Sequence, residues 1–372
     1  MQHNFILTDV MKTGDHHSYE QFIDTHSLAD QNFEYTGEYY TLHKYDLEKY
    51  DRKFAMIDMR IHNNRVIGNE QYRSDLLNRL ELLHQQGFKF ILTNPWESID
   101  NIRSEIFITG EKMNKVDIPY PYYTWTGGVS WFWNLMYHKH KDNNFKFTHD
   151  HHGSYWHKLN EYLYLNKAPR QHRLKLYNRL LKDNTLENSI YTFTGLDTPV
   201  RLQDKYELPG IRPEDYPRWG KDQDIYELPY IDTACSIVSE TNDNDYEVFM
   251  TEKIWKAIMA QHVFIVHGNH LYLQKLREIG FKTFGQYFDE SYDLEQDPDK
   301  RIDKIAKLAL QLKDNNTELK HGFRKWQDIY LQTKSLRQHN YNTLFNKEKL
   351  SVQINKTLNL FLEFADSGQV PS

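Results

Sequence analysis

Cysteine is nearly absent: Cys235 is the single one in 372 residues, so no internal disulfide can form, as suits a reducing compartment. No run approaches the ~20 apolar residues that a membrane-spanning helix needs. Residues 1–16 lack both the basic start and the apolar stretch of a secretory signal. A soluble, cytoplasmic chain without a membrane span is therefore expected. Excess basic charge is missing too. Lys and Arg number 46 against 52 Asp and Glu, a net charge of -6, so no chain-wide footprint for nucleic acid exists. A small basic groove could still meet phosphates. Three glycine signatures are absent: G-x-G-x-x-G, G-x-x-x-x-G-K-[ST] and G-x-S-x-G. Their absence argues against nicotinamide dehydrogenases, P-loop NTPases and α/β-hydrolases. Nor is there an H-E-x-x-H. The contiguous run from His149 to His152, with His157 nearby, does not share one face and reads as a solvated hinge rather than a metal site.

What is present is an aromatic-rich α/β pattern. Aromatics make up 15% of the chain and apolar residues 39%, enough for a real core with rings to spare for stacking on a sugar or base. The length suits two domains. Residues 1–50 are polar with weak periodicity and read as loops with short elements. Residues 54–61 read as a strand. Leu76, Leu77, Leu80 and Leu83 then recur at helical spacing until Gly87, and residues 88–93 read as the next strand. The polar, His-rich residues 145–155 mark a boundary, giving domains 1–150 and 151–372. The second half repeats the alternation. Strands are expected at 161–165, 189–194, 234–239, 247–250, 263–266 and 281–284, and helices at 170–182 and 271–279. Residues 299–364 are almost wholly helical. Strand-helix alternation predicts parallel sheets, with a cleft between the halves and ligands at the carboxyl ends of strands. The acidic residues 289–299 read as a solvated loop, and the Lys and Arg side chains between Lys300 and Arg337 as helix surface.

Two stretches point to chemistry. In residues 246–269, Thr251 is a good N-cap whose hydroxyl can accept a backbone N–H. Glu252 follows where a helix start favours a carboxylate, and Ile254, Trp255, Ala257 and Ile258 form one apolar face. A carboxylate beside the Lys253 ammonium, at the mouth of a strand-helix unit, suits ribose hydroxyls and a phosphate. The same stretch also reads as an ordinary βαβ unit with a solvated Glu-Lys pair. In residues 163–181 a strand ends near Asn166, Pro169 marks a turn, and Arg170 and Arg173 open a helix whose N-terminus favours anions. A basic amphipathic helix with solvated arginines is the other reading. Glu97 follows a strand beside Pro95 and Trp96. An apolar neighbour raises a carboxyl's pKa and suits a general base; Glu97 reads equally as a first-turn helix glutamate. Asp243-Asn-Asp245 is a D-x-D, but Asp222-Gln-Asp224 and Asp297-Pro-Asp299 share the pattern.

Taken in order, these blocks resemble the α-1,3-fucosyltransferase family. Residues 166–173 resemble its strand-to-helix turn bearing Asn and Arg. Residues 239–253, ending Thr251-Glu252-Lys253, resemble its E-N-S…D-Y-x-T-E-K segment, with E-T-N in place of E-N-S and extra residues between Tyr246 and Thr251. Residues 94–101 resemble its E-S-P-x-N segment, with Ile99 in place of the proline, and residues 129–137 its F-N-W-T-x-x-Y segment. The C-terminal half also looks like glycosyltransferase-like proteins common in bacteriophages. The resemblance implies an α/β fold of two Rossmann-like domains (GT-B-like), with a central cleft and a helical C-terminal segment. It implies a nucleotide-sugar donor held by Asn166, Arg170, Arg173, Glu240, Asn242, Tyr246, Glu252 and Lys253, and Glu97 as the catalytic base. The expected activity is inverting transfer of a sugar from a nucleoside-diphosphate sugar to a hydroxyl acceptor, without an essential metal or other cofactor. The acceptor is a glycan or another hydroxyl, a base in DNA included. The alternatives are a catalytically inactive nucleotide- or glycan-binding protein and a metal-dependent transferase using Asp243 and Asp245.

Overall fold

The computed structural model describes residues 4–10, 22, 32–58, 70–93, 122–125, 128–143, 160–200, 224–225, 227–243, 248–313 and 324–369. The chain divides into two compact units, residues 1–134 with 350–372, and residues 135–349.

The first unit is built on five parallel strands: β1 (Asn4–Asp9), β2 (Asn32–Glu38), β3 (Arg52–Asp58), β4 (Lys89–Thr93) and β5 (Tyr122–Trp125), in the order β2-β1-β3-β4-β5. Successive side chains point to opposite faces. Ile6, Ala55, Ile57, Phe90 and Leu92 therefore meet Leu76, Leu80 and Leu83 of α1 (Glu70–Gln85) in one cluster. On the other face Phe5, Leu7, Phe54, Met56 and Ile91 pack with Phe361, Phe364 and Ala365 of the C-terminal helix. The sequence reading assigned residues 151–372 to the second half, but residues 350–372 belong to the first unit. A parallel sheet needs both faces covered, and the apolar stripe of that helix covers one of them. Strands β1 and β2 lie where weak periodicity suggested loops with short elements. Each is only six or seven residues long, and register with β3 rather than local pattern makes β1 a strand. The helix α2 (Gly128–His140) follows β5.

The second unit holds four parallel strands: β6 (Asn160–Asn166), β7 (Ile190–Phe193), β8 (Thr233–Ser239) and β9 (Val263–His267), in the order β7-β6-β8-β9. Helix α3 (Gln171–Lys182) joins β6 to β7, α4 (Glu227–Asp232) precedes β8, and α5 (Glu252–Met259) joins β8 to β9. After β9 come α6 (Tyr272–Glu278), a 3-10 turn (Ser291–Leu294), α7 (Pro298–Leu312), α8 (Arg324–Gln332), α9 (Lys334–Leu344) and α10 (Lys347–Ser367). The chain leaves β6 toward one edge and β8 toward the other. The sheet's topological switch point therefore lies between β6 and β8, and a ligand crevice is expected beyond Asn166 and Ser239.

Residues 248–250 and 281–284 are not the strands their apolar content suggested. Side chains take the backbone groups a sheet would have used: Phe249 N–H donates to Asn269 Oδ1 (3.1 Å), Lys282 N–H to Asn340 Oδ1 (2.7 Å) and Phe284 N–H to Glu290 Oε1 (2.7 Å). The acidic residues 289–299 are likewise not simply solvated, since Asp293 is buried and caps α6. Arg301 and Arg337, expected on the surface, are buried. Arg301 donates to Glu295 O (2.6 Å), and Arg337 to Gln261 O (2.9 Å) and Tyr330 O (2.8 Å). No described helix is long and apolar enough to cross a membrane.

Phe361 is fully buried with its ring 5.0–6.4 Å from those of Phe54, Phe22, Tyr123 and Phe5. Phe361→Ala is expected to destabilise the first unit by about 3–5 kcal/mol, read as a lower urea midpoint. A loss below about 0.5 kcal/mol, the surface-substitution range, would detach this helix from that core.

Candidate functional site

At the carboxyl ends of β6 and β8 the second unit gathers charged side chains from two helix starts. Helix α3 begins beyond Asn166, with Arg170 at its N-cap and no side-chain hydrogen bond there. Helix α5 begins at Thr251, which has the extended backbone of an N-cap. Its hydroxyl does not cap the helix as expected; it donates to Glu240 Oε2. Glu240 is fully buried and needs the donor, while the hydroxyl oxygen accepts from Lys253 Nζ (2.9 Å) rather than from a helix N–H.

Glu240 is the centre of the arrangement. It continues the β8–β9 ladder by one step, donating its N–H to His267 O (2.8 Å). Its Oε1 accepts from Thr251 N–H (3.2 Å) and the Tyr272 hydroxyl (2.7 Å). Its carbonyl accepts from Arg173 Nε (3.1 Å) and Nη2 (2.9 Å), with His172 Nε2 at 3.2 Å. Arg170 Nη1 donates to the next carbonyl, Thr241 O (3.3 Å). Three side chains at the start of α3 thus grip the turn that follows β8. From the α5 side, Lys253 Nζ donates to Thr251 Oγ1 (2.9 Å) and Thr241 Oγ1 (3.4 Å). It lies 3.0 Å from Glu252 Oε1 and 4.0 Å from Glu240 Oε2. Arg173 and Lys253, from separate βα turns, therefore both reach Glu240.

Burial and charge set the protonation states. Burial raises the Glu252 carboxyl, but Lys253, Lys256 and hydrogen bonding outweigh it and leave its pKa below the usual value. Burial holds the Asp243 carboxyl above its ordinary range. Burial, then Arg173, lowers His172 to about 3, and burial with neighbouring cations drives His267 well down, so both imidazoles are neutral at pH 7. Their ring centroids are 5.3 Å apart, and Asp243 lies between them, 3.7 Å from His172 Nδ1 and 3.9 Å from His267 Nε2. His267 Nε2, Asn242 Nδ2 and both amide atoms of Asn166 are buried without a hydrogen bond. The Asn166 amide still comes near enough to the Tyr164 hydroxyl to moderate the rise of its pKa, without meeting hydrogen-bond geometry. Buried polar groups left unpaired cost free energy, and these residues lie at the carboxyl end of the sheet, where the ligand crevice is expected.

The structure thus gathers Asn166, Arg170, Arg173, Glu240, Asn242, Glu252 and Lys253 at one edge of the second sheet. Two of them are placed differently from expectation. Arg173 is 4% exposed and its guanidinium spends two donors on a backbone carbonyl, and the Glu240 carboxylate is committed to internal partners. Glu97, Tyr246, Asp222, Asp245 and residues 144–159 lie outside the described residues. Among the described residues no group of three or more His, Cys, Asp or Glu side chains could hold a metal ion. Sequence reasoning missed His172, Thr241, His267 and Tyr272. A signal was available for His267, a polar residue ending an apolar strand before Gly268, and none for the others, which only tertiary contacts bring in.

The depressed His172 value predicts a pH dependence. Its folded pKa of about 3 lies below the unfolded ~6.5, so the unfolded chain binds the proton first as pH falls. The stability it supports is complete above ~6.5 and lost progressively toward 3. Asp243, raised by burial, opposes this at the acid end. Urea unfolding between pH 7.5 and 4.5 should fall less steeply with acid in His172→Gln than in the parent chain. Parallel slopes would contradict the assignment.

No protein-family model matches the chain, and no curated protein sequence matches it. Among solved structures, a crystal structure of an alpha1,3-fucosyltransferase with GDP-fucose aligns at 12% identity and TM-score 0.37, covering 92% of this chain and 91% of that one. A second alpha1,3-fucosyltransferase crystal structure aligns at 11% identity and TM-score 0.36, covering 90% and 89%. Similarity of this size does not establish a common fold.

Proposed function

We propose that the chain is a glycosyltransferase that binds a nucleoside-diphosphate sugar at the carboxyl edge of the second sheet and transfers the sugar to a hydroxyl acceptor with inversion. The observation that carries this reading is the meeting of α3 and α5, with Arg170, Arg173 and Lys253, around the turn after β8 at the switch point. A diphosphate is well served by such a place, where helix N–H groups and fixed cations converge. The resemblance of Thr251-Glu252-Lys253 and its preceding segment to the fucosyltransferase donor motif supports the same reading.

Lys253, its side chain 24% exposed, faces the diphosphate most directly. Arg170 adds a partly exposed guanidinium, and Arg173 adds positive charge from below while holding the turn. Glu252, ionised, accepts ribose or sugar hydroxyls, and Asn242 Nδ2 supplies a donor that has no partner of its own. The resemblance to the donor motif assigns Tyr246 to the donor as well. The acceptor hydroxyl attacks the anomeric carbon as Glu97 takes its proton, the bond to the β-phosphate oxygen breaks, and the charge gathers on the diphosphate. The cations stabilise that charge most, which favours the transition state over the ground state. No essential metal is required, since arginine, lysine and helix ends serve. The acceptor is a glycan or another hydroxyl compound; the acidic overall balance disfavours DNA.

A thermal-shift panel of nucleotide sugars tests this. At 100 times its Kd the true donor should stabilise the fold by about 2.7 kcal/mol. Lys253→Ala should shrink the shift markedly without erasing it, since Arg170 and the helix ends remain, and Glu97→Gln should keep it while losing turnover. Absence of any shift across the panel at millimolar concentration would sink the donor reading, and full turnover by Glu97→Gln would remove the base. Activity that disappears with EDTA would move the chemistry to a metal.

A further inference from the structure

We propose that Tyr272, on the βα turn after β9, is a positioning residue for the Lys253 ammonium, acting through the Glu240 carboxylate; this rests on the donor reading above.

Tyr272 is 1% exposed and opens α6. Its hydroxyl donates to Glu240 Oε1 (2.7 Å), the oxygen that also accepts Thr251 N–H (3.2 Å). The other oxygen, Oε2, takes the Thr251 hydroxyl and lies 4.0 Å from Lys253 Nζ, while Thr251 Oγ1 itself accepts from Nζ (2.9 Å). The phenol therefore does not touch the ammonium. It orients a buried carboxylate whose second oxygen, with Thr251, orients it. Without the phenol, Oε1 keeps one donor in a site closed to water, and the carboxylate can rotate toward other donors.

Three features hold Tyr272 in place. Gly268 lies beneath its ring: a Cβ there would come within 2.7 Å of Tyr272 Cδ2. Leu271, immediately before it, has φ 61°, a left-handed conformation that a branched side chain rarely adopts. Strain of that kind persists where surrounding contacts over-determine it, and here Asp293 does so. Its backbone O accepts Leu271 N–H (2.9 Å), and its carboxylate accepts Leu273 N–H (2.7 Å) and Gln274 N–H (3.0 Å). A helix start is thus locked by a carboxylate from the acidic stretch, and its first residue reaches back across β9 to the donor turn.

A double-mutant cycle tests the proposal. The probe is whichever of ADP, CDP, GDP and UDP the parent chain binds most tightly by calorimetry, with the matching monophosphate as control. Tyr272→Phe should weaken the diphosphate roughly tenfold, the scale of one hydrogen bond to a charged group, and weaken the monophosphate less. In a Lys253→Ala background the same change should have little further effect, because the residue it positions is gone. In turnover, the donor KM should rise more than kcat falls. Gly268→Ala, which keeps the phenol and displaces the ring, should reproduce the loss of diphosphate affinity. Equal weakening of mono- and diphosphate, or full additivity with Lys253→Ala, would overturn the positioning role while leaving the donor site standing. Unchanged diphosphate binding in Lys253→Ala alone would overturn the donor reading itself.

Discussion

A buried carboxylate with no room for error organises the second unit. Glu240 is fully enclosed, and an enclosed carboxylate without donors costs several kcal/mol. Its two oxygens and its carbonyl are met by donors from three separate βα turns: Arg173 and His172 from α3, Thr251 from the start of α5, and Tyr272 from the start of α6. No one turn can move far without unpairing that group. The same demand that makes the turn rigid also brings the cations together, so the stability of the site and its charge are one arrangement.

The parallel sheet explains why these groups meet at all. Helices that follow β6 and β8 leave toward opposite edges, so the gap between the strand ends is not filled by a connection. Both helix N-termini point into that gap, and their first-turn N–H groups lack intrahelical partners. Cations there would repel each other and the helix ends unless carboxylates intervene, and Glu240, Glu252 and Asp243 do so. Low pKa values at His172 and His267 follow from the same crowding: burial first, with Arg173 adding to it at both. The imidazoles stay neutral and leave the positive charge of the edge to the arginines and Lys253.

Much of the fold was legible in the chain because parallel strands buried on both faces are nearly continuous apolar runs. Residues 234–239 and 263–266 read as strands for that reason and lie within the observed β8 and β9, and the α5 stripe of Ile254, Trp255, Ala257 and Ile258 is buried as its spacing requires. Where local pattern and backbone demand separated, the reading failed. Phe281 and Phe284 are buried yet form no strand, because Asn340 and Glu290 satisfy the backbone instead. Arg301 and Arg337 were placed on the surface because arginine usually is, but each found backbone carbonyls at helix ends that needed a donor.

By itself the sequence determined the strand-helix alternation, the apolar faces and the residue types at the starts of α3 and α5, because these depend on periodicity and on chemistry within a few residues. Only the tertiary structure decided that Arg173 would spend its hydrogen bonds on a carbonyl 67 positions away, that Thr251 would turn from its helix to Glu240, and that Tyr272 would close the same network. Those choices belong to whichever buried group most lacks a partner, and that is known only once the strands are side by side.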